Sequence, residues 1–298
     1  MFDTSPQLDC AGRILKLDRP QIMGIVNVTP DSFSDGGVHF DVDAAITHGL
    51  RLAEEGADIL DIGGESTRPG AEEVPLDEEL RRTIPVIERL ARETSLPISI
   101  DTSKPEVMRA AVAAGAGMIN DVYALRRDGA PEAAAELRVP VVLMHMLGEP
   151  RSMQDAPEYD DVVADVHRFL AERIFAAEMA GIDKKRILID PGFGFGKTTQ
   201  HNLQLLAQLQ RFTELGVPVL AGLSRKRSIR ELTGRDDMQA RVHGSVAAHL
   251  IAAQRGALLL RVHDVAATVD ALKVWNAVAA VPMPRVDAKT AIRWPDDD

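Results

Sequence analysis

The stretch LPISIDTSKPEVMRAAVAAGAGMIND, residues 96–121, holds the repeating unit of the fold. A short apolar run at 98–100 ends on Asp101, apolar residues then recur at helical spacing over 107–114, and a second apolar run follows at 118–119. Runs this short suit buried strands, whereas i, i+3, i+4 spacing between them suits an amphipathic helix. Gly115 stands just past the helical stretch, where a left-handed residue closes a helix. Strand, helix and strand in this order form a βαβ unit, and its two strands run parallel.

The same alternation extends in both directions. Strand-length runs occur at 22–26, 59–62, 139–144, 187–189, 217–220 and 257–260. Helical stretches lie at 44–55, 76–93, 159–180, 203–215, 241–255 and 265–278, with Gly56, Gly181, Gly216 and Gly256 placed as Gly115 is. Eight evenly spaced strands favour a closed α/β architecture, a (β/α)8 TIM barrel, over an open doubly wound sheet. Residues 1–20 precede the first unit and are expected to form an N-terminal extension, a hairpin or lid over the barrel bottom. Residues 281–298, with their prolines and terminal Asp296-Asp297-Asp298, read as a flexible tail. Nothing resembles a linker, so 1–298 is expected to be a single domain.

Composition narrows the function. Hydrophobic residues make up 45% of the 298 and charged residues 27%, which excludes wholesale disorder. A net charge of −11 makes general binding to nucleic acid or to an anionic membrane unfavourable. One cysteine, Cys10, excludes an internal disulfide framework and suits a reducing cytoplasm. No apolar run is long enough to span a bilayer.

In such a barrel the active site lies at the carboxyl ends of the strands. Those ends carry Asn27, Asp61, Asp101, Asn120 with Asp121, His145, Asp190, Ser224 with Lys226, and Arg261 with His263. Ser103 and Glu106 fit a capping box, which would leave the Asp101 carboxylate to face the barrel mouth. Asp264 reads as an N-cap, and Asp61 as a carboxylate that orients a neighbouring loop side chain. If Ser224 caps the next helix, Arg225, Lys226 and Arg227 crowd its first turn against the macrodipole, which points to an anionic or electron-rich ligand. Alternation sends Arg261 and His263 to one side, where they can converge on an anion.

Two long connections, 29–37 and 63–70, are dense in turn formers and carry Phe33 and Arg68, as loops that close over substrates do. The stretch PGFGFGKT at 191–198 fails both the P-loop and the dinucleotide spacing and suits a flat ligand lying against an aromatic ring. Asn27 is a candidate oxygen ligand for Mg²⁺, with help from substrate phosphates.

Several of these segments resemble the motifs of the dihydropteroate synthases: MGIVNVTPDSFSDGG at 23–37, GGESTRPG at 63–70, IDTSKP at 100–105, Asn120-Asp121, DPGFGFGK at 190–197, Ser224-Arg225-Lys226 and Arg261-Val262-His263. The match runs in order from about residue 20 to 278. The resemblance implies a TIM barrel, a homodimer and Mg²⁺. It also implies condensation of 6-hydroxymethyl-7,8-dihydropterin diphosphate with 4-aminobenzoate, in competition with sulfonamides. Catalysis would rest on Asp101, Lys226, Arg261 and His263. The pterin would be held by Asp101, Asn120, Met144, Asp190, Phe195 and Lys226, and the diphosphate by Asn27, Arg68, Arg261 and His263. Phe33, Thr67, Pro69 and Phe195 would shape the aminobenzoate site. Many members have serine after the motif lysine; here Arg227 stands there and Ser228 follows. The alternatives are a methyltetrahydrofolate-dependent corrinoid methyltransferase, which would not need the Arg261/His263 pair, and a silent pterin-binding paralogue.

Overall fold

The computed structural model describes residues 6–29, 38–66, 71–148, 153 and 157–281. A two-stranded antiparallel hairpin, β1 (Gln7–Cys10) and β2 (Arg13–Lys16), precedes eight parallel strands. These are β3 (Gln21–Asn27), β4 (Ile59–Gly63), β5 (Ile98–Asp101), β6 (Met118–Asp121), β7 (Val141–Met144), β8 (Ile187–Asp190), β9 (Val219–Ala221) and β10 (Ala257–Val262). They pair in chain order, and β10 closes on β3 to complete the barrel. The expected (β/α)8 architecture and N-terminal extension are both present.

Every residue of β4 to β9 is buried, because these strands face packed side chains on both sides. Inward positions at the start of the strands, Met23, Ile59, Met118, Val142, Leu188, Leu220 and Leu259, form one apolar layer. The intervening residues, among them Leu60, Ile100, Ile119 and Leu260, pack outward with the helices. The hairpin seats Leu8, Cys10, Leu15 and Leu17 on the inward layer and seals that end. Its two-residue turn puts Ala11 (φ 54°) and Gly12 (φ 87°) in the left-handed region, as a tight hairpin requires. A side chain at Gly117 would meet the Cys10 carbonyl oxygen at 2.3 Å, so only glycine allows this seat.

Ten helices alternate with the strands in the described chain: α1 (Val38–Glu54), α2 (Leu76–Glu93), α3 (Pro105–Ala113), α4 (Ala130–Leu137), α5 (Val162–Met179), α6 (Thr199–Ala207), α7 (Gln210–Thr213), α8 (Arg227–Thr233), α9 (Val242–Gln254) and α10 (Val265–Ala279). Gly56, Gly115, Gly181, Gly216 and Gly256 all have positive φ. Two departures from the sequence reading have local causes. The stretch 203–215 is not one helix: Gln208 leaves helical geometry (φ −116°, ψ 23°), and Leu209 and Phe212 both reach full burial beyond the break. Helix α4 was not anticipated, because its buried face is made of Ala130, Ala133 and Ala134 and has no large apolar residue. The tail beyond Val281 lies outside the described residues.

Candidate active site at the carboxyl ends of the strands

Beyond the apolar layer, the same inward rows turn polar towards the carboxyl ends of the strands. Asn27, Gly63, Asp101 and Asn120 are successive register partners across β3 to β6, and Met144 pairs with Asp190 across β7 and β8. From β10, Arg261 reaches into this ring. Its Nε donates to Asp61 Oδ2 at 2.6 Å and its Nη2 to Asp101 Oδ2 at 2.7 Å. Asn120 Nδ2 donates to the same Asp61 oxygen at 3.2 Å. Asp61 is fully buried and acts on strand-end groups, not on a loop side chain as its sequence position suggested. Burial pushes the Asp101 carboxyl above the ordinary carboxylate range, while Arg261 pulls it back. The arginine stays charged between its two acids.

Asp101 does face the barrel mouth, but the expected capping box is absent. Helix α3 begins at Pro105 with Lys104 as its N-cap residue, and no side chain caps it. A proline at the first position has no N–H to satisfy, which removes part of the need for a cap. Asp101 Oδ2 is taken by Arg261, whereas Asn27 lines the cavity and offers one amide oxygen, which suits a hard cation that takes its other ligands from phosphate and water. No cluster of three or more acidic, histidine or cysteine side chains able to hold a metal exists among the described residues.

On the opposite side, Lys226 extends over the Phe195 ring at 4.4 Å and donates to the Phe193 carbonyl. Burial lowers its ammonium to about 8, and Asp190 opposes that shift. Asp190 accepts the Gly192 N–H at 2.7 Å, and burial raises its carboxyl. Gly192, Gly194 and Gly196 all have positive φ. A side chain at Gly192 would strike the His145 carbonyl oxygen at 1.8 Å, so this glycine serves the approach of two backbones rather than a ligand. Lys197 completes the loop. Its Nζ donates to His145 Nδ1 at 2.8 Å and to the Phe195 carbonyl at 3.0 Å. Burial lowers the Lys197 ammonium well below its usual value and the His145 imidazole to about 2.

The segment after β9 also differs from its sequence reading. Ser224 does not cap a helix: α8 begins at Arg227, and the Ser224 Oγ accepts the His263 N–H at 3.1 Å and contacts His263 Nδ1 at 2.9 Å. Arg225 has φ 57° and is bidentate to Asp264, with bonds of 2.6 and 3.0 Å. Asp264 occupies the N-cap position of α10, yet its carboxylate serves Arg225 and not the helix. Only Arg227 of the three cations lies inside the first turn, and it pairs with Glu231 at 2.6 Å.

These groups surround a cavity of about 690 Å³ bordered by Asn27, Asp101, Phe195, Lys226, Arg261 and His263. Lys197, Glu65 and Ser228 border it too; none carries a role in the sequence reading, although Lys197 and Glu65 stand within its motifs at 190–197 and 63–70 and Ser228 lies just after that at 224–226. Asn120, Met144 and Asp190 are not on its wall. Asn120 turns to Asp61, Met144 packs with Val122, Met146 and Met153, and Asp190 is engaged by Gly192. Phe33, Thr67, Arg68 and Pro69 lie outside the described residues.

A family described as pterin binding enzyme matches residues 23–263. The dihydropteroate synthase of Escherichia coli strain K12 is 51% identical over 271 residues, covering 91% of this chain and 96% of that one. Two solved structures of the Xanthomonas albilineans dihydropteroate synthase are similar throughout. One, with 4-aminobenzoic acid, superposes with a TM-score of 0.90 at 78% identity and covers 94% of this chain and all of that one. The other, in complex with 7,8-dihydropteroate, gives 0.86 at 75% identity and covers 93% and 100%.

Proposed function

The chain belongs to the pterin-binding enzymes, and from that premise we infer that its activity is that of a dihydropteroate synthase, a transferase. It joins 6-hydroxymethyl-7,8-dihydropterin diphosphate to 4-aminobenzoate, giving 7,8-dihydropteroate and diphosphate. The observation that carries this reading is one cavity with Asp101 and Arg261 on one side and Lys226 over Phe195 on the other. A solved relative at 75% identity that holds 7,8-dihydropteroate favours this reading over the methyltransferase, and the assay below separates it from a silent paralogue.

The reaction displaces diphosphate from the pterin methylene. The C–O bond to the leaving group breaks, the aryl amine forms the C–N bond, and one amine proton is lost to water. No protein nucleophile is needed, since an aryl amine is neutral at pH 7. Two charges must be stabilised instead: the departing diphosphate and the cationic methylene. Asp101, buried and on the cavity wall, supports the cation. Arg261, His263 and Asn27 are the proposed diphosphate residues on the cavity wall, and Arg68 is proposed to join them. A pterin edge with its ring N–H and amino group suits the buried carboxylate of Asp190 and the amide of Asn120; with Lys226, and with Met144 and Phe195 against the ring faces, they are the proposed pterin residues, of which Lys226 and Phe195 line the cavity. Phe33, Thr67, Pro69 and Phe195 take the aminobenzoate, and sulfonamides compete there. Ser228, which borders the cavity next to Arg227, is the candidate hydroxyl for the aminobenzoate carboxylate.

Asn27 would hold Mg²⁺, which would supply charge neutralisation to the diphosphate. The working form is a homodimer in the cytoplasm. Val274 and Val278 on α10, 66% and 67% exposed, support association. No helix among the described residues is long and apolar enough to cross a membrane.

The test is direct: purified protein, Mg²⁺, pterin diphosphate and labelled aminobenzoate should yield labelled pteroate. A protein that binds the pterin but forms no pteroate would refute the activity. Light scattering at micromolar concentration separates dimer from monomer.

A further inference from the structure

Between the cavity and α2 lies a charge cluster that the reaction above does not use. Glu79 of α2 has no exposed surface. It accepts from Thr102 Oγ1 at 2.5 Å and from Lys104 Nζ at 2.6 Å. The same Lys104 ammonium, on a residue only 8% exposed, also donates to Glu65. Glu65 borders the cavity along with Asn27, Thr29 and Ser66. Its loop stem is fixed from behind as well: Arg82 Nη1 donates to the Gly64 carbonyl at 2.9 Å, and a side chain at Gly64 would meet Thr83 Cγ2 at 2.7 Å. One cation therefore sits between two carboxylates, and one of those carboxylates looks onto the end of the cavity where an anion has to bind.

We propose that Lys104 is a positioning residue that holds Glu65 to the cavity wall and offsets its charge, so that this end of the cavity accepts a diphosphate. The proposal rests on the reading of the cavity as the site of a pterin diphosphate. An unneutralised carboxylate on a partly desolvated wall repels a polyanion, whereas the neutral pterin alcohol is indifferent to it. A purely architectural ion pair would behave differently, because its loss would weaken both ligands alike or neither. Burial raises the Glu65 carboxyl while Lys104 opposes that shift, in keeping with a pair whose charges depend on each other.

The experiment compares wild type, K104Q and K104Q/E65Q by equilibrium titration in metal-free buffer, using the pterin diphosphate and the unphosphorylated pterin alcohol. Glutamine keeps a hydrogen-bond donor beside Glu79 but carries no charge. K104Q is expected to weaken the diphosphate on the order of tenfold more than the alcohol. Adding E65Q should restore most of that difference. Equal weakening of both ligands, or no restoration by E65Q, overturns the proposal. If K104Q does not fold, K104M/E65Q is measured against E65Q, and the two are expected to show the same ratio of affinities; a further loss of the diphosphate overturns the role of Lys104. Wild type that binds the alcohol as tightly as the diphosphate would instead bring down the reading of the cavity, and the proposal with it.

Discussion

At its amino-terminal end the barrel is filled by Ile59, Met118, Leu188 and Leu259 under a hairpin of leucines, while two residues further along the same strands the inward positions are Asp61, Asn120, Asp190 and Arg261. One end is stabilised by apolar burial, which needs no partner of particular geometry. The other end buries charges, and these are tolerable only when each has a partner: Arg261 with Asp61 and Asp101, Lys226 with the Phe193 carbonyl and the Phe195 ring. The two ends share strands yet answer to different physics. Damage to the closed end should therefore appear as lost stability, and damage to the open end as lost chemistry, with Arg261 joining both.

The largest effect is expected where the division breaks down. Arg261→Ala leaves Asp61 and Asp101 buried without their cation, so it should lower stability by about 3–5 kcal/mol in chemical denaturation and also weaken the diphosphate substrate. A loss below about 1 kcal/mol would mean that water already solvates the pair. Asp101→Asn keeps the shape and removes the charge. Turnover should fall by roughly 10²–10³-fold with pterin affinity and stability nearly kept, as expected for a group that matters most when charge develops. A pure KM effect in steady-state kinetics would contradict its electrostatic role.

At the closed end, Leu15→Ala should lower stability by an amount at the lower end of about 2–5 kcal/mol, because a hairpin can settle into the space. Its kcat/KM should equal that of wild type at a temperature where both remain folded. The smallest effect is the pH dependence. Lys226, lowered to about 8 by burial, loses its proton above that pH, so kcat/KM should decline on the alkaline side. K226R, whose guanidinium keeps its proton, should flatten that limb even if its rate is lower. Asp101 gives the acid limb: its raised carboxyl must ionise to support the cation, so activity rises with pH through a value above the ordinary carboxylate range. The sign for stability is opposite. Between the unfolded and the folded value the native state binds more protons, so this contribution to stability is lost as pH rises through that window. Asp101→Asn should abolish both slopes.

Much of this architecture was legible in residue order. A strand buried on both faces must be a short apolar run, and a helix on the outside must show its inner stripe, so eight strands and most helices could be read from 22–26 through 265–278. The polar residue after each apolar run marked the open end for the same reason. Helix α4 escaped because alanine leaves no amphipathic signature, and the break at Gln208 escaped because the apolar spacing of Leu205, Leu209 and Phe212 continues across it.

Sequence by itself determined which residues stand at the barrel mouth, since alternation along a strand and the end of an apolar run are local properties of the chain. Tertiary structure alone decided what those residues do to one another. Arg261 meets Asp61 only because β10 closes on β3, which bridges 200 residues of chain. Ser224 turns to His263 instead of a helix end, Asp264 to Arg225, and Lys104 to Glu65 and Glu79, for the same cause. A cap or an ion pair is chosen by whichever partner lies within about 3 Å after the barrel closes, and no periodic pattern in the sequence records that distance.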